Sequence, residues 1–572
     1  VFLTLERLCT RASDLSNHVT RYTRTIERDQ GLVVTRLEAT GLLGHVSVGQ
    51  PAASFEDEME VMTAAVGGTA DKLRFLAFYF ALQYITTEVH CLDILRYHLL
   101  RDPDRREVAW SLTFNEAQQR FTDLTAAYLG QLCGLLLPPE LLGRFVLLGV
   151  GTMGDRDDID VAAVDSLDAA GRSELSHGLS RISQVMLRTS CSLHFHMAEA
   201  LEAELLSDSV EGYVRALDGL PYSPVVISQL LRASRLVGSE ELLTRMVRQV
   251  PSRFYYHPGG PNLDHEGFLR AMLGEVAEML RRPVSPSYIS PKADGLRLIK
   301  GYLALAKSVY HVPAPTWSEV LRFLRRRSRC LRPQYSALDQ ALTFLETARY
   351  LFQLLVVEKE EIDTAQAGAE SLSSVAAHMG FSRRGALDPT VPFLVAYYDT
   401  IDALKQALDA LLEPIAEHLR RISSLSVFHY PELEAGGTRF NVAVRHAAEA
   451  RRFLGTRYWD DLLDELVAPG SPVAERWVRD LAVLSPLRRR VVLKTLVEWG
   501  VRDVVSFGRL LIPLRQRVAV EGHEELFDEA VDLFLERCSE EPKMAESLAS
   551  LFVLWPAAVD HFLSLLDVAQ LG

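Results

Sequence analysis

Residues 145–164 read FVLLGVGTMGDRDDIDVAAV. The apolar run 145–148 suits a buried β-strand. The glycines that follow it, Gly149, Gly151 and Gly154, let the chain turn sharply and approach another molecule closely. A second apolar run then carries Asp158 and Asp160, one residue intervening. Side chains at i and i+2 of a strand share a face, so the two carboxylates are expected side by side. Two such charges repel unless a cation lies between them, and hard oxygen ligands suit Mg²⁺. A Gly-rich turn beside a paired-carboxylate metal site is the arrangement that phosphoryl or nucleotidyl transfer requires. The plainer alternative is an exposed acidic hairpin.

The chain of 572 residues is long enough for three or four domains. Charged residues make up 24% and hydrophobic ones 48%, a globular balance. A net charge of −14 argues against nucleic acid as partner, because long-range steering of a polyanion needs the opposite sign. The basic runs at 325–329 and 488–490 read as solvated helix faces. Six cysteines are scattered without Cys-x-x-Cys spacing, which argues against a zinc site and a disulfide framework. No apolar run reaches the roughly 20 residues of a membrane span, and no signal peptide is visible. A cytoplasmic protein without a membrane partner is expected.

Outward from the opening stretch, the expected fold class is a predominantly α-helical multidomain chain with one small α/β domain. Residues 1–138 show helical spacing of apolar positions and read as an N-terminal helical bundle. Pro138 and Pro139 mark a boundary. Residues 139–210 form the α/β unit, with strands expected at 145–150, 158–164 and 192–197 and a crossover helix at 169–188. Residues 211–430 return to a helical pattern, and a loop at 251–261 carrying Tyr255, Tyr256 and His257 reads as exposed. Residues 432–438 read as a linker, and 440–572 as C-terminal helical hairpins broken by Pro and Gly.

The strand, Gly-rich turn and Asp-Ile-Asp of residues 145–164 resemble the signature of the nucleotidyltransferase superfamily, and the turn is most similar to that of glutamine-synthetase adenylyltransferases. Downstream, ISQLLRASRLVGSEELLTRMV (227–247) and SPKADGLRLIKGYLALAKSV (290–309) resemble ordered blocks of protein-PII uridylyltransferases. Similar blocks occur in the nucleotidyltransferases that accompany CBS or cyclic-nucleotide domains. The resemblance covers roughly residues 141–414. It implies a metal-dependent transfer of a nucleoside monophosphate from a nucleoside triphosphate to a protein or small-molecule acceptor. By the same resemblance Asp158 and Asp160 hold Mg²⁺ or Mn²⁺, and Gly149, Gly151, Thr152, Gly154 and Arg156 grip the triphosphate, with Lys292 and Arg297 as phosphate partners.

The sequence departs from the pattern in three places, the first being the turn, where only a few residues separate Gly151 from Asp158. The strand expected at 192–197 contains no third carboxylate; His194 and His196 share one face there and serve either as metal ligands, better for Mn²⁺ or Zn²⁺, or as core histidines. The Asp expected after Arg297 is Leu298. A catalytically inactive, nucleotidyltransferase-like helical regulatory or scaffold protein is therefore the alternative expectation. No His-Asp dipeptide occurs, so the phosphohydrolase domain of the uridylyltransferases is not expected.

Overall fold

The computed structural model describes residues 5–8, 10, 17–39, 41, 54–151, 159–189, 191, 193–194, 208–219, 224–258, 263–285, 287–356, 361–364, 369–382, 388–422, 427–428 and 440–441. The expected linker and all but the first two residues of the expected C-terminal hairpins lie outside this set. Within it the chain is predominantly helical with a small mixed sheet.

The first helices are α1 (Asn17–Ala39), α2 (Phe55–Ala64), α3 (Thr69–Arg101) and α4 (Arg106–Leu136). Every residue from 75 to 89 of α3 is buried, because α3 packs along both α1 and α4. A helix buried on all sides belongs in a core, here with Gln83, Thr86, Thr87 and Glu88 buried among the apolar residues, and no described helix is long and apolar enough to cross a membrane. Aromatic rings fill the seam: Tyr22 stacks on Tyr84 at 4.2 Å, and Phe80 lies 4.8 Å from Tyr128.

The sheet begins after Pro138. Strand β1 (Phe145–Gly149) and β2 (Ile159–Asp165) form an antiparallel hairpin, Phe145 opposite Asp165 and Gly149 opposite Val161. Both strands are buried along their whole length, as continuous apolar strands are when both faces are covered. Helix α5 (Ala169–Arg188) starts at Asp168, whose carboxylate accepts from Gly171 N at 2.9 Å. It crosses over to β3 (Leu193–His194), which runs parallel to β2. Strand β4 (Asp208–Ser209) also pairs parallel with β2, near its other end. Buried Asp165 is held by Arg172 at 2.9 Å and caps Leu167 N at 2.9 Å, so this acid is structural.

After α6 (Val210–Gly219) and α7 (Pro224–Leu230) the structure corrects a sequence expectation. Residues 234–238, expected to be helical, are strand β5 (Ser234–Gly238), antiparallel to β1. The sheet order is β3-β2-β1-β5, and it therefore extends beyond residue 210. Gly238 makes the pairing possible: at φ +98° its Cβ would meet Phe145 O at 2.2 Å. Helix α8 (Glu240–Gln249), capped by Ser239, packs against β1, β2 and β5.

The remaining elements are α9 (Leu263–Arg281), β6 (Tyr288–Ile289), α10 (Arg297–Tyr310), α11 (Trp317–Arg327), α12 (Arg332–Leu355), β7 (Ile362–Asp363), α13 (Ala369–His378) and α14 (Thr390–Ile422). One compact unit comprises Val1–Gly212, Val225–Tyr255 and Glu278–Glu413, and a second comprises Tyr213–Pro224, Tyr256–Ala277 and Pro414–Gly572. In the second unit His265 and His418 meet Nε2 to Nε2 at 3.1 Å, with the Tyr256 ring 4.6 Å from that of His418. In the first, Tyr255 lies 5.2 Å from His311, and burial pushes its phenol up to about 12. The expected exposed loop is thus half-buried at both tyrosines, because each ring has an aromatic partner to cover it.

Candidate functional site

The site is built where the β1–β2 hairpin meets the turn between α7 and β5. Val150 N donates to Asp160 O at 3.0 Å, which carries the hairpin ladder past β1 and sets Gly151 against Asp160. Gly151 has φ +56°, and a Cβ there would lie 2.7 Å from Asp160 Oδ2 and 3.1 Å from Gln229 Nε2. Only glycine lets the turn approach the carboxylate this closely. Asp160 is 1% exposed, so its carboxylate is presented within the protein rather than to bulk water.

Arg232 closes the other side. Its Nη1 donates to the Gly151 carbonyl and its Nε to Pro315 O at 3.3 Å, while the guanidinium lies 4.7 Å over the Trp317 ring. These contacts tie the Gly turn to the start of α11, where Thr316 and Glu319 form a reciprocal capping box. Buried Lys307, near the end of α10, donates to the Ala314 carbonyl. Burial, and then the nearby Arg232 charge, push its amine down to about 8, against the opposing pull of Glu319. Two polar atoms here, Gln229 Oε1 and Trp317 Nε1, are buried without a hydrogen-bond partner among the described residues.

The structure thus brings together Gly151 and Asp160, and beside them Gln229, Arg232, Lys307 and Trp317, none of which the sequence analysis assigned to the site. Gly149 is the last residue of β1, paired with Val161. Thr152, Gly154, Arg156, Asp158 and His196 lie outside the described residues. His194 stands in register with Asp160 across the β2–β3 pairing. Lys292 and Arg297 sit at the opposite end of α10 from Lys307; the ten residues between Arg297 and Lys307 correspond to about 15 Å of helix. Arg297 is exposed there. Their block has a packing role: a Cβ on Gly295 would meet Leu345 Cδ1 at 2.3 Å, and Asp294 accepts from Tyr397 Oη at 2.7 Å and Ser290 N at 2.7 Å. The signal for Lys307 was one cation in the apolar run LALAKSV; that for Arg232 was its place between a helix and a Gly-ended strand.

No family model matches this chain, and no curated protein matches it. Among the described residues no three metal-ligating side chains converge.

Proposed function

We propose that this chain is a metal-dependent nucleotidyltransferase that moves a nucleoside monophosphate from a nucleoside triphosphate onto a protein or small-molecule acceptor. The observation that carries the reading is the close approach of the Gly151 turn to the buried carboxylate of Asp160. A hard, buried oxygen donor beside a Gly-rich turn fits Mg²⁺ or Mn²⁺, with Asp160 and its neighbour Asp158 as the holding residues. The ion supplies charge neutralisation to the triphosphate when bound.

The chain's own residues do the rest. Arg232 fixes the carbonyl of the Gly turn beside Asp160. Lys307, buried and without an ion pair among the described residues, gains by receiving an anionic phosphate. Gln229 Oε1 and Trp317 Nε1 offer an acceptor and a donor to the ligand. In the transfer the acceptor's nucleophilic atom bonds to the α-phosphorus, the bond to the bridging oxygen breaks, and pyrophosphate leaves. A binding-only, regulatory version of the site is favoured by one observation: β3, in register with Asp160, offers His194 and no acid.

Isothermal titration with ATP, UTP and CTP, with and without Mg²⁺, tests the reading alongside single-turnover assays with labelled triphosphate. Metal-dependent binding that is lost in Asp160→Asn, at unchanged circular dichroism, is expected. Retained turnover in the Asp158→Asn/Asp160→Asn variant would sink the transferase reading. Binding without turnover against any acceptor fraction would favour the binding-only version.

A further inference from the structure

Away from that hairpin, α1, α3 and the C-terminal end of α5 line a pocket of about 420 Å³ that is open to solvent on one side. This lies within the range of roughly 300–1,000 Å³ usual for small-molecule sites. Its apolar wall includes Leu73, Ala77 and Val185, and three arginines, Arg28, Arg74 and Arg188, also line it. Two of these are held in place by one acid. Asp29, whose side chain is 0% exposed, accepts from Arg28 Nη2 at 2.6 Å and from Arg74 Nη2 at 3.1 Å. Both arginine side chains remain about half-exposed, at 56% and 55%. Arg188 is exposed and has neither a hydrogen bond nor an ion pair among the described residues.

Three cations and one buried carboxylate leave this wall positive in a chain of net charge −14. A structural role accounts for Asp29 and its two partners. It does not account for a third guanidinium beside them, which like-charge repulsion disfavours. An apolar wall calls for an apolar body, and guanidinium forks match the planar oxygens of a carboxylate or the tetrahedral oxygens of a phosphate.

We propose that this cavity binds a small amphipathic anion, an acyl or aryl body ending in one carboxylate or phosphate, with Arg188 and the outer N–H groups of Arg28 and Arg74 on the headgroup. This site stands apart from the transfer reading and survives its failure.

The test is calorimetric titration of the full chain, below the critical micelle concentration, with decanoate, decyl phosphate and neutral decanol. Saturable one-to-one binding of at least one anion is expected, about tenfold or more tighter than decanol and weakening with salt. The tighter anion identifies the headgroup. Arg188→Gln should weaken the anion about tenfold and leave decanol unchanged. Ala77→Leu, which narrows the pocket at its apolar wall, should weaken both. Anion affinity that is unsaturable, equal to that of decanol, or unchanged in Arg188→Gln would overturn the proposal. Arg188 is exposed, so its variant keeps the test decisive where Ala77→Leu perturbs folding.

Discussion

Lys307 carries the most information of any single residue here. Its amine releases a proton near pH 8 in the folded chain and near 10.5 when unfolded. Between those values the unfolded state holds more protons, so stability rises with pH across that window. Below pH 8 both states are protonated and the penalty is constant. The stability of wild type relative to Lys307→Met should therefore climb from about pH 8 to 10.5 and stay flat below, read from urea midpoints. A flat difference throughout would place the amine in water. The same variant should lose triphosphate affinity, because the charge that burial penalises is the charge a phosphate would stabilise. Little of this residue's role was legible in sequence: a lysine within apolar helix marks an anomaly but not its partner. The place of Asp160 in the second strand of the hairpin was legible, since the apolar run around it marks that strand. Arg232 depended on a turn joining segments more than 80 residues apart, as its bond to the Gly151 carbonyl shows.

Among elements, those whose local rules agreed with their surroundings were readable in advance. Helix α5 runs over the expected 169–188, because an Asp cap and an amphipathic run define it locally. Strands β1 and β2 followed from their apolar runs. Strand β5 did not, because five residues between two helices carry too short a pattern, and its identity comes from pairing with β1. Lys292 and Arg297 were expected as phosphate partners; between them in sequence, the observed interactions of Gly295 and Asp294 serve packing. There the glycine admits Leu345 and Ile401, which a Cβ would meet at 2.3 and 3.0 Å. Gly295→Ala should cost about 1–3 kcal/mol through overpacking. Adding Leu345→Ala should cost less than the two single changes summed. Additive losses in chemical denaturation would show that the helices do not meet at this glycine.

For the whole molecule, the compact unit that holds the site is assembled from three separate stretches of chain. The boundary expected at residue 210 cuts through its sheet. A fragment of residues 139–210 would leave β1 without β5 and strip α8 from strands that are buried throughout. Such an edge invites aggregation. The fragment should give a collapsed amide proton spectrum, whereas a chain carrying all three stretches should give dispersed resonances. A well-dispersed spectrum from 139–210 alone would mean that the sheet needs neither element.

The indole of Trp317, with a guanidinium resting on its face, gives the site a built-in optical reporter. Cations near an indole alter its emission, and an anion that draws Arg232 toward itself would change that influence. Triphosphate should therefore shift or dequench the intrinsic fluorescence in proportion to occupancy. Trp317→Phe should silence the signal and, by removing the Nε1 donor, weaken triphosphate binding as well.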